Sequence, residues 1–221
     1  MFRFETSWTR WRSAAAPGGA QSDGVVQSFV THEGACVELR HMHPQSTDAL
    51  CRFTASLSAR SVGLRFHVGP MSSETIDHFV RDAVLDDRGA VRSWLWTPLG
   101  QPDTVVGEVR LGFAPAHSGA AARAELGIVI ADAYQRQGLG LRSVEFIQSL
   151  AQKTGVRGVK ATVLAHNRAV IGLLRHCDFE LALDADDPGM VHALWPRTDG
   201  CNVFAPEPAG WQRLISRMVG M

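Results

Sequence analysis

The chain has 221 residues, of which 45% are hydrophobic and 20% charged, so it can bury one sizeable core. Lysine plus arginine and aspartate plus glutamate each total 22, and the formal net charge of zero argues against binding nucleic acid or anionic membranes through bulk charge. Because no apolar run approaches the roughly 20 residues that span a bilayer, and the N-terminus lacks the apolar core of a signal peptide, we expect a cytoplasmic protein with no membrane or nucleic-acid partner.

The first 24 residues are predicted to form a flexible N-terminal tail. Arginine and tryptophan dominate residues 8–12, and a stretch of small residues follows, as in a linker. An organelle-targeting peptide is the alternative, which Glu5 and the shortness of the basic run disfavour. The folded domain is expected over residues 25–195, and residues 196–221 are interpreted as a C-terminal extension whose apolar spacing allows a short helix.

Strands are predicted where β-branched and aromatic residues alternate between turn-forming residues. The first two strands flank a turn at residues 32–34 and are expected to form a hairpin. In chain order, the predicted strands cover residues 25–30, 36–42, 91–96, 105–113, 125–131, 159–164, 179–183 and 190–195.

Helices are predicted where apolar residues at helical spacing follow a side chain suited to capping. The first carries Leu50, Phe53 and Leu57 on one face, and the second ends near residues 86–89. In chain order, the helices begin at Ser46 or Thr47, at Ser72 or Ser73, near Gly138, and at Asn167. Together with the strands they predict a mixed α+β protein without an internal repeat.

Metal binding is not expected. The four cysteines are widely spaced and lack a C-x-x-C pair, which argues against a disulfide framework or a thiolate zinc site. His41 and His43 could suggest a metal, and His117 an alternative base, but isolated histidines without convergent carboxylates are more often surface or packing residues, which is how we interpret them.

The turn before the third helix has the character of an anion site. Its sequence is Gln135-Arg136-Gln137-Gly138-Leu139-Gly140, and its glycines let the backbone approach a ligand closely. The helix start leaves N–H groups without acceptors and carries about half a positive charge, which suits a pyrophosphate. A Walker P-loop is excluded because Gly-Lys-Ser/Thr is missing, and a dinucleotide fingerprint is excluded because Ser143 stands where glycine is required. A glycine-containing turn with no ligand is the alternative.

The same six residues match the Gln/Arg-x-x-Gly-x-Gly/Ala signature of the GNAT superfamily of N-acetyltransferases. The preceding strand resembles the fourth strand of that family, and residues 165–179 resemble its Asn-x-x-Ala-x-x-Leu-Tyr-x-x-x-Gly-Phe segment. The resemblance covers roughly residues 36–195 and implies a central, mostly antiparallel, twisted sheet flanked by helices. Within the superfamily, residues 37–40, 64–66 and 124–130 are most similar to the bacterial Pat-type protein lysine acetyltransferases.

This resemblance implies acetyl-CoA as cosubstrate, no metal, and an amine acceptor that is either a protein lysine or a small molecule. A homodimer is compatible with the sequence. The cofactor-binding positions that the resemblance implies are Ile128, Val129, Ile130, Gln135, Arg136, Gln137, Gly138, Leu139, Gly140, Leu141 and Asn167.

Glu125 is the predicted catalytic residue. A lysine amine, whose unperturbed pKa is about 10.4, is protonated at neutral pH and must lose a proton before it can attack. The resemblance places Glu125 on the fourth strand facing the acceptor cleft, so we interpret it as the general base, directly or through water. A solvated or salt-bridged glutamate is the alternative.

Two positions depart from the family pattern. Leu174 stands where many members carry a tyrosine that protonates the departing thiolate, so a tyrosine-assisted mechanism is excluded at that position. Asp178 replaces a glycine, and aspartate tolerates a left-handed backbone better than most residues. The missing tyrosine raises a second function, a catalytically silent acyl-CoA sensor or interaction module.

Several predicted contacts have simpler alternatives. Ordinary sheet pairing accounts for Ile128 to Ile130 as well as pantetheine binding does, and N-capping accounts equally well for Asn167. Arg65, Phe66 and His67 lie between the first two predicted helices, a segment that borders the acceptor site in this superfamily.

Overall fold

The computed structural model describes residues 24–67, 71–84, 91–113, 123–154 and 156–196. The predicted tail up to residue 23 and the C-terminal extension from residue 197 lie outside these ranges, as does His117.

The centre of the structure is one eight-stranded sheet with the order β1-β2-β3-β4-β5-β6-β8-β7. Seven neighbouring pairs hold it together, and all are antiparallel except β5 with β6. The strands are β1 (Val25–Val30), β2 (Cys36–His41), β3 (Val91–Pro98), β4 (Gly107–Phe113), β5 (Arg123–Ile130), β6 (Gly158–Leu164), β7 (Glu180–Leu183) and β8 (Met190–Trp195). Each predicted strand is therefore present, with ends that shift by one or two residues.

Five helices flank the sheet in the described ranges: α1 (Thr47–Ser56), α2 (Ala59–Phe66), α3 (Ser73–Val84), α4 (Leu139–Thr154) and α5 (Arg168–His176). Four of them agree with the prediction, and the mixed α+β class is confirmed. No helix in these ranges is long and apolar enough to cross a membrane.

Helix α2 was not predicted. Leu57, which the sequence pattern assigned to the first helix, has an extended backbone with ψ of 141° and ends that helix. Ser58 then caps a new helix, because its hydroxyl accepts a hydrogen bond from Ser61 N at 3.2 Å. The segment containing Arg65 and Phe66 is thus helical, which fixes the direction of both side chains.

The sheet separates two apolar cores. Helices α4 and α5 cover one face, where Trp94, Trp96 and Val144 are fully buried. Helices α1, α2 and α3 cover the β2–β5 part of the other face, where Leu50 and Leu95 lie in the second core. Burial of large apolar side chains on both faces stabilises the order of the layers.

A buried hydrogen bond fixes the start of α4 on the sheet. The indole Nε1 of Trp96 donates to Ser143 Oγ at 2.9 Å, and that hydroxyl donates to Leu139 O at 2.8 Å. Since Trp96 and Ser143 are both fully buried, neither polar group has water as an alternative partner. The N-terminal turn of α4 is therefore held against β3.

The α1–α3 face also contains a buried ion pair. Glu108 and Arg110 lie two residues apart on β4, and their side chains are 1% and 2% exposed. Arg110 Nε donates to Glu108 Oε1 at 2.8 Å, and a second guanidinium nitrogen contacts the same oxygen. The two opposite charges stabilise each other where water is excluded.

We predict that Glu108→Gln lowers the free energy of unfolding by about 3–5 kcal/mol, because it leaves the Arg110 guanidinium buried beside a neutral amide. The control is Glu145→Gln, which breaks the ion pair with Arg142 on the surface of α4 and should cost less than about 1 kcal/mol. Urea unfolding followed by circular dichroism measures both. Equal and small changes in the two variants would contradict this account of the pair.

Candidate active site

The parallel strands β5 and β6 diverge halfway along their length. They pair only from Arg123 with Gly158 to Glu125 with Lys160. Beyond this point β5 stays with β4 as far as Ile130, while β6 stays with β8. A wedge-shaped gap therefore opens between the carboxyl ends of the two strands, and Glu125 lies at its apex.

Backbone groups on the β5 side of this gap lack strand partners. Antiparallel pairing alternates, so every second residue of β5 directs its N–H and C=O to β4. Ala131 N donates to Val106 O, so the backbone of Ala131 points to β4. Val129 lies two residues earlier and its backbone groups therefore point to β4 as well. The backbone groups of Ile128 and Ile130 face the gap instead. Two of the three residues predicted to pair with pantetheine therefore direct their backbone N–H and C=O groups into the gap.

The turn that follows β5 begins with a short 3₁₀ segment, Asp132–Tyr134. Two left-handed residues then reverse the chain, Arg136 with φ of 62° and Gly138 with φ of 95°. Helix α4 begins directly afterwards at Leu139, so the N–H groups of its first turn have no acceptor within the helix. The predicted sequence of strand, turn and helix start is therefore present.

The side-chain amides of the turn form hydrogen bonds within the fold. Gln135 Nε2 donates to Ser61 Oγ at 3.0 Å and to Ile130 O at 3.1 Å. Gln137 is buried and donates to Ala133 O at 2.7 Å. Because these amides are engaged in the fold, Gln135 and Gln137 offer a ligand mainly their backbone.

The remaining predicted residues of the turn divide by exposure. Arg136 is exposed. Leu139 is buried in the core and Leu141 packs against it, so both present backbone rather than side chain. A Cβ on Gly140 would lie 3.2 Å from Leu173 Cδ2, so this glycine lets α4 approach α5 closely.

The β1–β2 hairpin closes over the turn. His32 N donates to Gln137 O at 3.2 Å. Phe29 lies beneath the Arg142 guanidinium, whose Cζ is 5.1 Å from the ring centroid. A Cβ on Gly138 would lie 2.9 Å from Phe29 Cζ and 3.1 Å from His32 Nε2, so both the contact and the backbone angle favour glycine here.

A carboxylate that sequence reasoning missed connects the turn to α2. Asp132 Oδ1 accepts hydrogen bonds from the hydroxyls of Ser58 and Ser61, both at 2.8 Å, and Oδ2 accepts one from Ser58 N at 3.1 Å. Burial opposes its ionisation, but these hydrogen bonds outweigh burial and lower the pKa of Asp132 below its usual value. In the sequence, the donors to Asp132 are marked only by the Ser-x-x-Ser spacing of Ser58 and Ser61. That spacing was not interpreted as a helix start because α2 was not predicted.

Glu125 lies on the face of the sheet that α2 covers. Thr162 Oγ1 of β6 donates to Glu125 Oε1 at 3.4 Å. Burial raises the pKa of Glu125 above the usual value of a glutamate, although Lys160, Thr162 and Arg65 all favour the charged form. A half-buried carboxylate of raised pKa accepts a proton more readily than one in water.

The guanidinium of Arg65 lies directly over Gly127, two residues along β5 from Glu125. A Cβ at Gly127 would overlap Arg65 Nη2, so the strand needs glycine there to admit the arginine. Burial lowers the pKa of Arg65 to about 10, while Glu108 and Glu125 favour its charged form. Arg65 therefore remains a cation at neutral pH and supplies positive potential to the apex of the gap.

An open cleft lies between α2 and the end of β6. Its volume is about 380 Å³. It is lined by Ala59, Arg60, Gly63, Leu64, His67, Leu164 and His166. Burial, followed by the Arg65 charge, lowers the pKa of His67 below its usual value, so this ring is neutral at pH 7.

The other predicted positions have structural roles. Asn167 caps α5, its Oδ1 accepting from Val170 N at 3.4 Å. Leu174 is buried in the core. Asp178 has φ of 60°, the left-handed conformation expected there. Within the described ranges, no group of three or more histidine, cysteine, aspartate or glutamate side chains converges as metal ligands would.

Comparison with known proteins gives a match to one family. The family described as "Acetyltransferase (GNAT) domain" matches residues 37–180. This range contains every predicted site residue. No curated protein sequence matches the chain significantly.

Solved structures of similar fold are numerous. The GNAT domain of S. lividans PAT matches with a TM-score of 0.66 and 20% identity, over 80% of this chain and 99% of that one. RimL, a ribosomal L7/L12 alpha-N-protein acetyltransferase, gives 0.57 and 17%, over 81% and 96%. An acetyltransferase from Thermus thermophilus gives 0.54 and 21%, over 72% and 95%. At these identities the similarity establishes the fold alone.

We predict that Gly138→Ala lowers the free energy of unfolding by about 1–3 kcal/mol, because alanine is strained at a φ of 95° and its Cβ contacts Phe29. Gly172→Ala is the matched control. Gly172 lies in α5, and a Cβ added there would have no neighbour within 4 Å, so alanine should be neutral or stabilise by up to about 1 kcal/mol. Urea unfolding compares the two, and an unstrained Gly138→Ala protein would argue against the turn geometry.

Proposed function

The chain belongs to the GNAT acetyltransferases, and we propose that it transfers the acetyl group of acetyl-CoA to a primary amine with Glu125 as general base. The observation that carries this proposal is the position of Glu125 at the apex of the gap between β5 and β6. There a half-buried carboxylate lies on the face of the sheet that α2 covers, with Lys160, Thr162 and the Arg65 charge around it.

The residues present fit acetyl-CoA. The gap-facing backbone groups of Ile128 and Ile130 can pair with the amides of the pantetheine arm as an added strand would. The N–H groups at the start of α4, between Gly138 and Leu141, can donate hydrogen bonds to the pyrophosphate oxygens, and Arg136 adds charge at the rim. Asn167 is proposed as a further contact because it lies buried at the start of α5.

Glu125 would remove the proton that blocks attack. Its carboxylate accepts a proton from the ammonium group, and the neutral nitrogen then attacks the thioester carbonyl. As the carbon–sulfur bond breaks, the second proton of the nitrogen passes to the departing thiolate, directly or through water, which gives the amide and the free thiol. A backbone N–H of β5 that faces the gap, such as that of Ile128, would polarise the carbonyl oxygen. A thiol with an unperturbed pKa of about 8.5 is a good leaving group, so Leu174 in place of tyrosine does not prevent the reaction.

A protein lysine is the acceptor that we place slightly ahead of a small-molecule amine. Residues 37–40, 64–66 and 124–130 resemble the Pat-type lysine acetyltransferases, and the GNAT domain of S. lividans PAT has a similar fold. The cleft beside α2 is open, as an extended side chain from another protein would require. A panel of lysine peptides and small amines decides between the two acceptor classes.

We predict that Glu125→Gln lowers kcat by about 10²–10⁴-fold, because glutamine cannot accept the proton. The dissociation constant for acetyl-CoA should change little, since the backbone groups that would bind it are untouched. Coenzyme A release against the amine panel measures turnover, and calorimetry measures binding. Glu145→Gln on the exposed side of α4 is the control and should behave as wild type.

Two outcomes would overturn parts of this proposal. Undiminished turnover in Glu125→Gln would remove the general-base role. Tight binding of acetyl-CoA by the wild-type chain without release of coenzyme A for any amine would favour the acyl-CoA sensor instead.

The pH dependence of kcat should follow the raised pKa of Glu125. The ionised carboxylate is the active form, so kcat falls as pH falls, with a midpoint above the usual pKa of a glutamate. Lys160→Met should move this midpoint to higher pH, because Lys160 favours the charged form of Glu125. Lys153→Met on exposed α4 should leave it in place. A pH midpoint that is the same in wild type and Lys160→Met would contradict the assignment of this midpoint to Glu125.

A further inference from the structure

The cleft beside α2 has an uneven charge. Its first wall is one face of α2, with the spacing i, i+3, i+4 and i+7 from Arg60 to His67. Its second wall is the end of β6, where Leu164 and His166 contribute. Among the described residues that line the cleft there are one arginine and two histidines, but no aspartate or glutamate. The lining therefore favours an anion over a cation.

Arg60 is available to an anion from outside the chain. It is exposed in the first turn of α2. Within the part of the chain that the structure describes, it forms no ion pair. Asp132, which contacts the same turn of α2, accepts hydrogen bonds from Ser58 and Ser61 instead. An exposed arginine that has no carboxylate partner can offer its whole planar fork of N–H donors to a ligand.

Positive potential reaches the cleft from the sheet as well. Arg65 projects from α2 over Gly127 of β5. Burial, followed by the charge of Arg65, lowers the pKa of His67, so this charge is felt at the cleft wall. Lys160 adds another cation beside Glu125. A negatively charged group close to the acceptor amine is therefore stabilised on this face of the sheet.

The cleft lies on the same face of the sheet as Glu125. Thr162 Oγ1 donates to Glu125 Oε1 at 3.4 Å. Leu164 is two residues further along β6 and points to the same face as Thr162, because Val163 between them belongs to the core under α4 and α5. Two residues of a strand span about 7 Å. An extended acceptor whose amine meets Glu125 would therefore place its neighbouring groups in the cleft.

We propose that this cleft selects acceptor lysines that have an acidic residue close by on the acceptor protein. The inference rests on the proposed acetyl transfer at Glu125 and names the acceptor class for that reaction. The acidic side chain would pair with the Arg60 guanidinium. The imidazoles of His67 and His166 can each donate a hydrogen bond to the same carboxylate. Arg60 is thus a specificity-determining residue.

A protein segment is favoured over a free amino acid. Arg60 precedes Arg65 by five residues, which is about 7.5 Å along the axis of α2. The amine and carboxylate of one α-amino acid are closer together than this, whereas a lysine amine and a neighbouring acidic side chain can span it. Leu64 and Leu164 in the two walls offer apolar surface to the alkyl part of the lysine.

The first test varies only the charge beside the acceptor lysine. Three peptides of equal length carry glutamate, glutamine or arginine on both sides of one lysine. At saturating acetyl-CoA and low salt, kcat/KM should fall about threefold to tenfold at each step from glutamate to glutamine to arginine. Most of the change should be in KM, because the flanking charge contacts the cleft equally before and during the reaction. High salt should reduce the ratios, since exposed charges are screened.

The second test reverses the charge of the cleft. Arg60→Glu should invert the order of the three peptides, and Arg60→Gln should remove the preference without inverting it. Arg157→Glu is the matched control, because Arg157 is exposed and precedes β6 at the end opposite the cleft. It should keep the wild-type order. Calorimetry should give the same dissociation constant for acetyl-CoA in all these proteins. Weaker acetyl-CoA binding in Arg60→Glu would assign the cleft to the cofactor phosphates and overturn the inference.

A third measurement needs no turnover. The same peptides, with the lysine already acetylated and a fluorescent label attached, bind to the full chain in the presence of coenzyme A. Fluorescence anisotropy should give the tightest binding for the glutamate peptide in the wild-type protein and for the arginine peptide in Arg60→Glu.

These results distinguish the acceptor class from the reaction itself. Coenzyme A release and peptide binding that are equal for the three peptides overturn the acidic preference and leave the proposed transfer in place. Charge-dependent binding without coenzyme A release from any peptide removes the proposed transfer, while the preference of the cleft for acidic segments stands. Turnover of free amino acids but of none of the peptides overturns the choice of a protein acceptor.

Discussion

The separation of β5 from β6 after Glu125 and Lys160 is the constraint on which the site depends. Two parallel strands that paired along their whole length would satisfy each other's backbone and leave no gap. Here β5 follows β4 and β6 follows β8, so both strands are held apart by antiparallel neighbours. The unsatisfied edge of β5 is therefore maintained by the rest of the sheet, and a ligand with its own amides can complete it.

The two parts of the candidate site lie on opposite faces of the sheet. On one face, α4 is fixed by the hydrogen bond from Trp96 to Ser143 and presents a helix start with unsatisfied N–H groups. On the other, α2 brings Arg65 over β5 next to Glu125. The hydrogen bonds of Asp132 connect the two regions, since this carboxylate belongs to the turn and its donors belong to α2. The helix start of α4 and the Glu125 carboxylate therefore belong to different faces of the sheet and are linked through Asp132.

Sequence patterns predicted most of the fold because alternation and capping are local signals. The glycine turn and the left-handed Asp178 were predicted for the same reason. Helix α2 was missed because only the extended backbone of Leu57 separates it from α1. The position of Thr162 between Glu125 and His192 could not be predicted, since it depends on the register between β6 and β8, which pairs Thr162 with His192. The sequence could not show that the side chains of Gln135 and Gln137 bond within the fold, so their predicted place at the cofactor stays a proposal for their backbone groups.

Amide hydrogen exchange of β5 with and without coenzyme A tests the central claim most directly. The account predicts that the N–H groups of Ile128 and Ile130 become protected when coenzyme A binds, because they face the gap. The N–H of Val129 is directed to β4 and should be protected in both states, which makes it an internal control. Binding of coenzyme A without added protection at Ile128 and Ile130 would contradict the claim that the gap between β5 and β6 is the cofactor site.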